Sequence, residues 1–151
     1  MDMNAQPDDL ESRVLDLANQ AIAHQAAGEH RQAAKHWGRA IALADSGLAD
    51  SGLGSDDIRH WLSAGAAETL YRLGDYAACI VAARAAQEWS RQQHAPLAAL
   101  LLGQAQLRLG RREAALQALR EARALGGEAV WDAIDLDLRA AAARLLRSDA
   151  A

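Results

Sequence analysis

The sequence predicts an all-α chain, an α-solenoid of about seven helices stacked as antiparallel pairs. Two features of composition and one of spacing carry this expectation. Alanine makes up about a quarter of the 151 residues, with Leu, Arg, Gln and Glu also abundant, and these are the strongest helix formers. Phe is absent and Val scarce, so the residues that favour strands are largely missing. Three glycines, Gly28, Gly74 and Gly110, each divide two apolar-periodic segments of similar length. They lie 46 residues (74 minus 28) and 36 residues (110 minus 74) apart. A chain of this length is one domain and large enough to bury a core without cross-links.

The first helix is expected to start after a flexible tail, residues 1–9, with Pro7 outside it and Asp8 and Glu11 forming a capping box. Leu10, Val14, Leu17, Ala21 and Ile22 recur at helical spacing, and Gly28 ends the pattern. A second helix from Gln32 to about Ala44 buries Ala33, Trp37, Ala40, Ile41 and Ala44. Two back-to-back copies of ADSGL then predict a mobile loop over 45–55, because Gly, Ser and Asp are concentrated there. A short helical turn is the alternative, since Leu48 and Leu53 are apolar. Ser55, Asp56 and Asp57 suit the N-terminus of a third helix, Ile58 to Leu73. Gly74-Asp75 turns into a fourth, Tyr76 to about Gln92. Pro96 opens a fifth that runs to Leu109, and a sixth covers Arg112 to Leu125. After Gly126-Gly127 a seventh, 129–147, carries Trp131, Ile134, Leu138, Ala142 and Leu145 on one stripe. The domain thus spans 10–147, with repeats at about 14–45, 60–91 and 96–127. The longer first interval is explained by the ADSGL insertion, leaving a period near the ~34 residues of a helix-turn-helix repeat.

Here the chain resembles the tetratricopeptide repeat family. LYRLGDYAACIVAARAAQ places Gly74-Asp75-Tyr76 at the turn, with Cys79 and Ala86 at the two small positions of the second helix. LLGQAQLRLGRREAALQALREARAL supplies Leu102-Gly103, Gly110, Ala115 and Ala122. AIAHQAAGEHRQAAKHWGRAIALA supplies Ala21, Gly28, Ala33, Trp37 and Ala40. The first repeat departs from the pattern at Gln20 and His24, and Asp45 and Gly127 stand where Pro often closes a repeat. The physical requirement behind the pattern is close helix approach. Ala21, Ala67 and Gly103 in the first helices, with Ala33, Cys79, Ala115, Ala40, Ala86 and Ala122 in the second, are expected at the contacts. A single hairpin cannot cover its own apolar stripe, so three stack and the last helix caps them.

Composition argues against several functions. The net charge of −4, from 16 basic and 20 acidic residues, is not that of a nucleic-acid binder. Arg108, Arg111 and Arg112, and Arg120 and Arg123, are diluted by Glu113 and Glu121. MDMNAQPDDL has no positive or apolar region of the secretory kind. The apolar run Pro96 to Gly103 is far below the ~20 residues of a membrane span. The lone Cys79 suits a reducing compartment as a buried thiol, so a soluble, cytoplasmic protein is expected. His24, His30, His36, His60 and His94 show no spacing of four that would pair metal ligands on a helix. Asp132, Asp135 and Asp137 lack the oxygen-rich loop of a calcium site and are expected to keep the outer face of the last helix wet. No enzyme, cofactor or metal is expected.

The resemblance implies a concave groove lined by the first helix of each repeat. Projected on this sequence, the lining is Leu15, Asn19, Ile22 and Gln25, then Trp61, Glu68, Tyr71 and Arg72, then Leu97, Leu101, Gln104 and Arg108. The paired Lys, Arg and Asn by which some family members clamp an acidic C-terminus are replaced here by Ala18, Ile22, Gly65, Leu97 and Leu101. An apolar groove with Trp61 and Tyr71 implies a peptide or amphipathic helix of a partner protein. The expected function is that of an adaptor or chaperone-like scaffold, including secretion-related ones. For Trp61 the alternative is packing on the first repeat. The alternative for the whole chain is a self-associating repeat protein, a homodimer closing through the groove or through Trp131, Ile134 and Leu138.

Overall fold

Each hairpin turns in the same way because its backbone leaves the helix in the same way. After Gly28, Gly74 and Gly110, whose φ angles are 79°, 82° and 75°, the next N–H reaches five residues back: Glu29 to His24, Asp75 to Leu70, Arg111 to Gln106, at 2.8–3.0 Å. A left-handed residue followed by this bond closes a helix by satisfying its orphan carbonyls, and glycine adopts it without steric cost. The residues that follow, Glu29, Asp75 and Arg111, then share one geometry, φ near −90° and ψ of 67–79°. The three glycines therefore stand at equivalent bends.

The computed structural model describes residues 7–48 and 55–150. Helix α1 spans Pro7–Ala26 and α2 His30–Leu43. Next come α3, Ser55–Leu73, and α4, Tyr76–Gln92, and then α5, Leu97–Arg108, and α6, Arg112–Gly126. A five-residue α7, Ala129–Ala133, and α8, Arg139–Ala150, flank a single 3₁₀ turn at Leu136–Leu138. No strand occurs among the described residues. Helices pack in consecutive pairs, α1 on α2, α3 on α4 and α5 on α6, and successive pairs pack on one another: an all-α helical repeat. Eight of the nine small positions expected at helix contacts have no solvent exposure, and Gly103 is buried with them.

Three expectations are corrected. Helix α1 already includes Pro7, so residues 7–9 belong to it rather than to a tail; φ near −65° is compatible with a first helical turn. The first ADSGL copy is not loop but a π-helical continuation of α2, Ala44–Leu48. Its small residues explain this. Ala44 is buried, and a Cβ on Gly47 would fall 2.2 Å from Leu10 Cδ2, so glycine lets this turn lie close on α1 without moving that side chain. The expected helix over 129–147 is broken, because Ile134 and Asp135 are extended, with ψ of 135° and 138°. The second ADSGL copy, 49–53, lies outside the described residues, as do the side chains of Asp8 and Ser55 and with them their expected capping roles.

The core falls into three clusters, one per hairpin junction. Trp37 fills the first, with Val14, Ala18, Leu62 and Ala66 around it and Trp61 edge-on at 6.1 Å. The indole Nε1–H donates to Thr69 Oγ at 3.0 Å, and the Thr69 hydroxyl donates to Gln25. One hydrogen-bonded chain thus links α2, α3 and α1. The second cluster joins Ala67, Tyr71, Cys79 and Leu101. The third sets Leu100, Leu119 and Ala122 under Val130, Ile134, Leu138 and Ala142.

Candidate interaction surfaces

Two troughs of about 510 Å³ each run between neighbouring second helices. The first has walls from α2 and α4 over a floor of α3; the second has walls from α4 and α6 over α5. They are the same place in successive repeats. Moving 36 positions along the chain carries Ala66 to Leu102, Leu70 to Gln106, Ala78 to Ala114, Val81 to Gln117, Ala82 to Ala118 and Ala85 to Glu121. On the other wall, 46 positions carry Gly38 to Arg84 and Ile41 to Gln87.

Their chemistry is opposite. In the second trough Glu121 accepts from Gln87 Nε2 at 2.6 Å and from Arg91, and Arg91 also pairs with Glu88 at 2.9 Å. Burial alone would raise the Glu121 carboxyl, but the hydrogen bonds from Arg91 and Gln87 outweigh it and hold it below the usual range. The first trough has almost no polar lining. Val81 is 71% exposed on its α4 wall, Gly38 leaves a gap on the α2 wall, and Trp37, Ile41, Ala66 and Leu70 complete it. An apolar concavity of this size is of the scale that ligands and partner side chains fill.

The first-helix face differs from its expectation. Leu15, Asn19 and Ile22 are exposed on α1, and Leu97 is exposed at the start of α5. Glu68 is half-buried. Trp61 is partly buried and packs on the first hairpin, against Trp37, as the packing alternative expects. Leu101 is core, not lining. Tyr71 and Gln104 are also buried, because the extended segment at 134–138 crosses over them.

That segment brings together four of the projected lining residues. Asp135 accepts from the Tyr71 hydroxyl at 2.6 Å and from Arg108 Nη2 at 3.0 Å, and its second oxygen lies 3.7 Å from Arg72. Its backbone N–H donates to Gln104 Oε1 at 2.7 Å. Arg108 also forks onto Asp137, at 2.5 and 3.0 Å. Both guanidinium groups lie just under 6 Å from the Tyr71 ring centre. Burial first, then the hydrogen bond to Asp135, raises the Tyr71 hydroxyl above its ordinary pKa. The Arg108 hydrogen bonds hold the Asp137 carboxyl below its own. Asp135 therefore turns inward onto Tyr71 and Arg108, contrary to the expected wet outer face, whereas Asp137 stays exposed while accepting from Arg108, and Asp132 is exposed outside this contact. The stripe offered for dimer closure is likewise used internally, with Ile134 and Leu138 in the third cluster and Trp131 beside it.

Cys79 is buried and its thiol is pushed up to about 12 by burial, with Asp75 adding to the shift. Among the described residues no group of three or more His, Cys, Asp or Glu is placed to hold a metal ion, and no helix is long and apolar enough to cross a membrane. No protein-family model and no curated protein sequence matches this chain.

Proposed function

We propose that this chain is a non-enzymatic, tetratricopeptide-like scaffold that holds another protein by docking an amphipathic helix of it in the apolar trough between α2 and α4. One observation carries the reading: repeat geometry places two equal troughs on this face, and the first is lined almost wholly by apolar side chains where the second carries Arg84, Gln87, Arg91 and Glu121. A fold that needed nothing there would gain solubility from residues such as Gln117 and Glu121, which the next repeat has at the places of Val81 and Ala85. Small residues on both walls, Ala34, Gly38, Ala78 and Ala82, leave room for the ridge of a third helix. The occupant presents apolar side chains at i, i+3/i+4 and i+7. The shared turn geometry and the buried small positions support the tetratricopeptide-like part of the reading. An adaptor or chaperone role follows from a scaffold of this kind, and its place of work is the cytoplasm.

The test transplants one trough's chemistry into the other. Val81→Gln with Ala85→Glu copies the second trough and leaves the core untouched, since Val81 and Ala85 are both exposed. A photo-crosslinker at Val81 is expected to capture one reproducible protein from the source organism's lysate, through a helical segment identified by mass spectrometry. The same group at Gln117 is expected to capture none, and Ala85→Glu alone is expected to reduce the yield. Equal capture at both positions, or capture unaffected by the charge, would remove the proposal.

A further inference from the structure

The segment at 134–138 is bound the way a peptide ligand is bound. Its main chain is read by Gln104, whose Oε1 accepts the Asp135 N–H at 2.7 Å. Its first carboxylate is read by Tyr71 at 2.6 Å and Arg108 at 3.0 Å, and its second by the fork of Arg108 at 2.5 and 3.0 Å. Leu136, between them, is 79% exposed. Apolar residues bracket the motif, with Ile134 and Leu138 buried. The receiving residues come from α3 and α5, the segment from beyond α6, so the receptor surface and its occupant belong to separate elements. Charge-assisted, bidentate contacts of this kind carry specificity as well as energy.

The segment is also irregular in its backbone. It is extended at Ile134 and Asp135 between a five-residue helix and one 3₁₀ turn. Upstream stands Gly126-Gly127, with Gly127 in a left-handed bend at φ 67°, and displacement of the segment takes Ile134 and Leu138 out of the third cluster. An incoming segment with the same groups replaces each polar contact it breaks.

We propose that Tyr71, Gln104 and Arg108, with Arg72 at the edge, form a binding site for an extended acidic segment of a partner protein, apolar-Asp-Xaa-Asp-apolar, and that residues 134–138 occupy it in cis until displaced. It shares with the trough reading only the premise that the chain binds proteins. It uses other residues, so Val81→Gln/Ala85→Glu leaves it intact and the two fail separately. A tethered occupant acts at a local concentration on the order of millimolar. The affinity of the wild type for a free segment is therefore reduced by the fraction of molecules that are open.

The probe is a fluorescein-labelled peptide of residues 130–142, added to the full chain and followed by anisotropy. Asp135→Asn/Asp137→Asn weakens the cis occupant and is expected to bind the peptide about tenfold more tightly than the wild type does. Arg108→Met in that background is expected to abolish binding, as is replacing both aspartates of the peptide with asparagine. Equal binding to wild type and variant, or no binding to a variant of native helicity, overturns the proposal. If the variant fails to fold, the wild type decides. Amide exchange across 134–138 is expected to accelerate at saturating peptide, and unchanged exchange overturns it. A wild-type dimer in light scattering that Arg108→Met dissociates would assign the segment to a second copy and overturn the hetero-partner.

Discussion

Two mid-helix glycines, Gly38 in α2 and Gly65 in α3, are predicted to respond oppositely to the same substitution. Glycine in a helix interior costs about 0.5–1 kcal/mol relative to alanine, so Gly→Ala starts with that gain at either position. At Gly38 an added Cβ meets nothing within 4 Å, and the gain is kept. For a chain of this size, 1 kcal/mol corresponds to roughly 2–4 °C in Tm. At Gly65 the added Cβ would fall 2.4 Å from Cη2 and 2.5 Å from Cζ2 of Trp37. Ordinary carbon contacts begin near ~3.5 Å, so the indole must retreat by about 1 Å. It is not free to do so: the ring is buried, bonded to Thr69 at 3.0 Å and backed by Trp61. Overpacking costs about 1–3 kcal/mol, and a loosened buried hydrogen bond adds about 1 kcal/mol. After the propensity gain, Gly65→Ala loses about 1–3 kcal/mol, a fall of roughly 3–10 °C. Thermal melts by far-ultraviolet circular dichroism measure both variants. A Gly65→Ala protein as stable as the wild type would refute the close seat of Trp37 on α3.

Other outcomes follow from single residues. Gln106 is buried with no hydrogen-bond partner for Oε1, at the place Leu70 holds one repeat earlier. Gln106→Leu is expected to gain about 1 kcal/mol in denaturant unfolding, and a loss would show that the amide is satisfied. His94 stands just beyond the C-cap of α4 at φ 53°, where Ala95 N–H reaches Ser90 at 2.9 Å as in the glycine turns. His94→Gly is expected to stabilise by about 1 kcal/mol; destabilisation in the same melts would contradict the strain. Cys79 and Tyr71 are both held neutral in the fold, chiefly by burial, the thiol with a pKa of about 12 against an ordinary 9.0 and the phenol above 10.0. The unfolded chain loses these protons first, so stability is complete below about pH 9 and declines as pH rises above it. Urea midpoints across that range would expose a contrary trend. At about pH 8 a thiol reagent should modify native Cys79 only as fast as the protein opens, and immediate reaction would sink the assignment.

Much of this fold is legible in the sequence because its determinants are local. A glycine at a left-handed bend announces itself, as do alanines seven residues apart on one helix face. The turn at His94 is not announced by any glycine; Pro96 alone marks the boundary there. The break at Ile134 is hidden for a different reason. Trp131, Ile134, Leu138 and Ala142 keep helical spacing although the backbone between them is not helical, because both ends of the break still face one core. The alternation Ile134-Asp135-Leu136-Asp137-Leu138 is the signal that favours extended chain over helix. On the first-helix face, Tyr71, Arg72, Gln104 and Arg108 were legible as neighbours. Their occupant was not, since its pairings join residues 27–64 apart and no local pattern encodes such a distance. The trough needed coordinates too, because it exists only where two walls and a floor meet.

The bond from Asp135 to Tyr71 has a mechanical consequence. In a stack where each hairpin touches only its neighbour, the last unit peels first and the middle is shielded. Here the C-terminal end is laced past α5 to the central hairpin, so fraying at the terminus and loosening at the centre become one event. Cutting that lace, by a competitor or by mutation, is expected to let the C-terminal side unfold separately from the central hairpin.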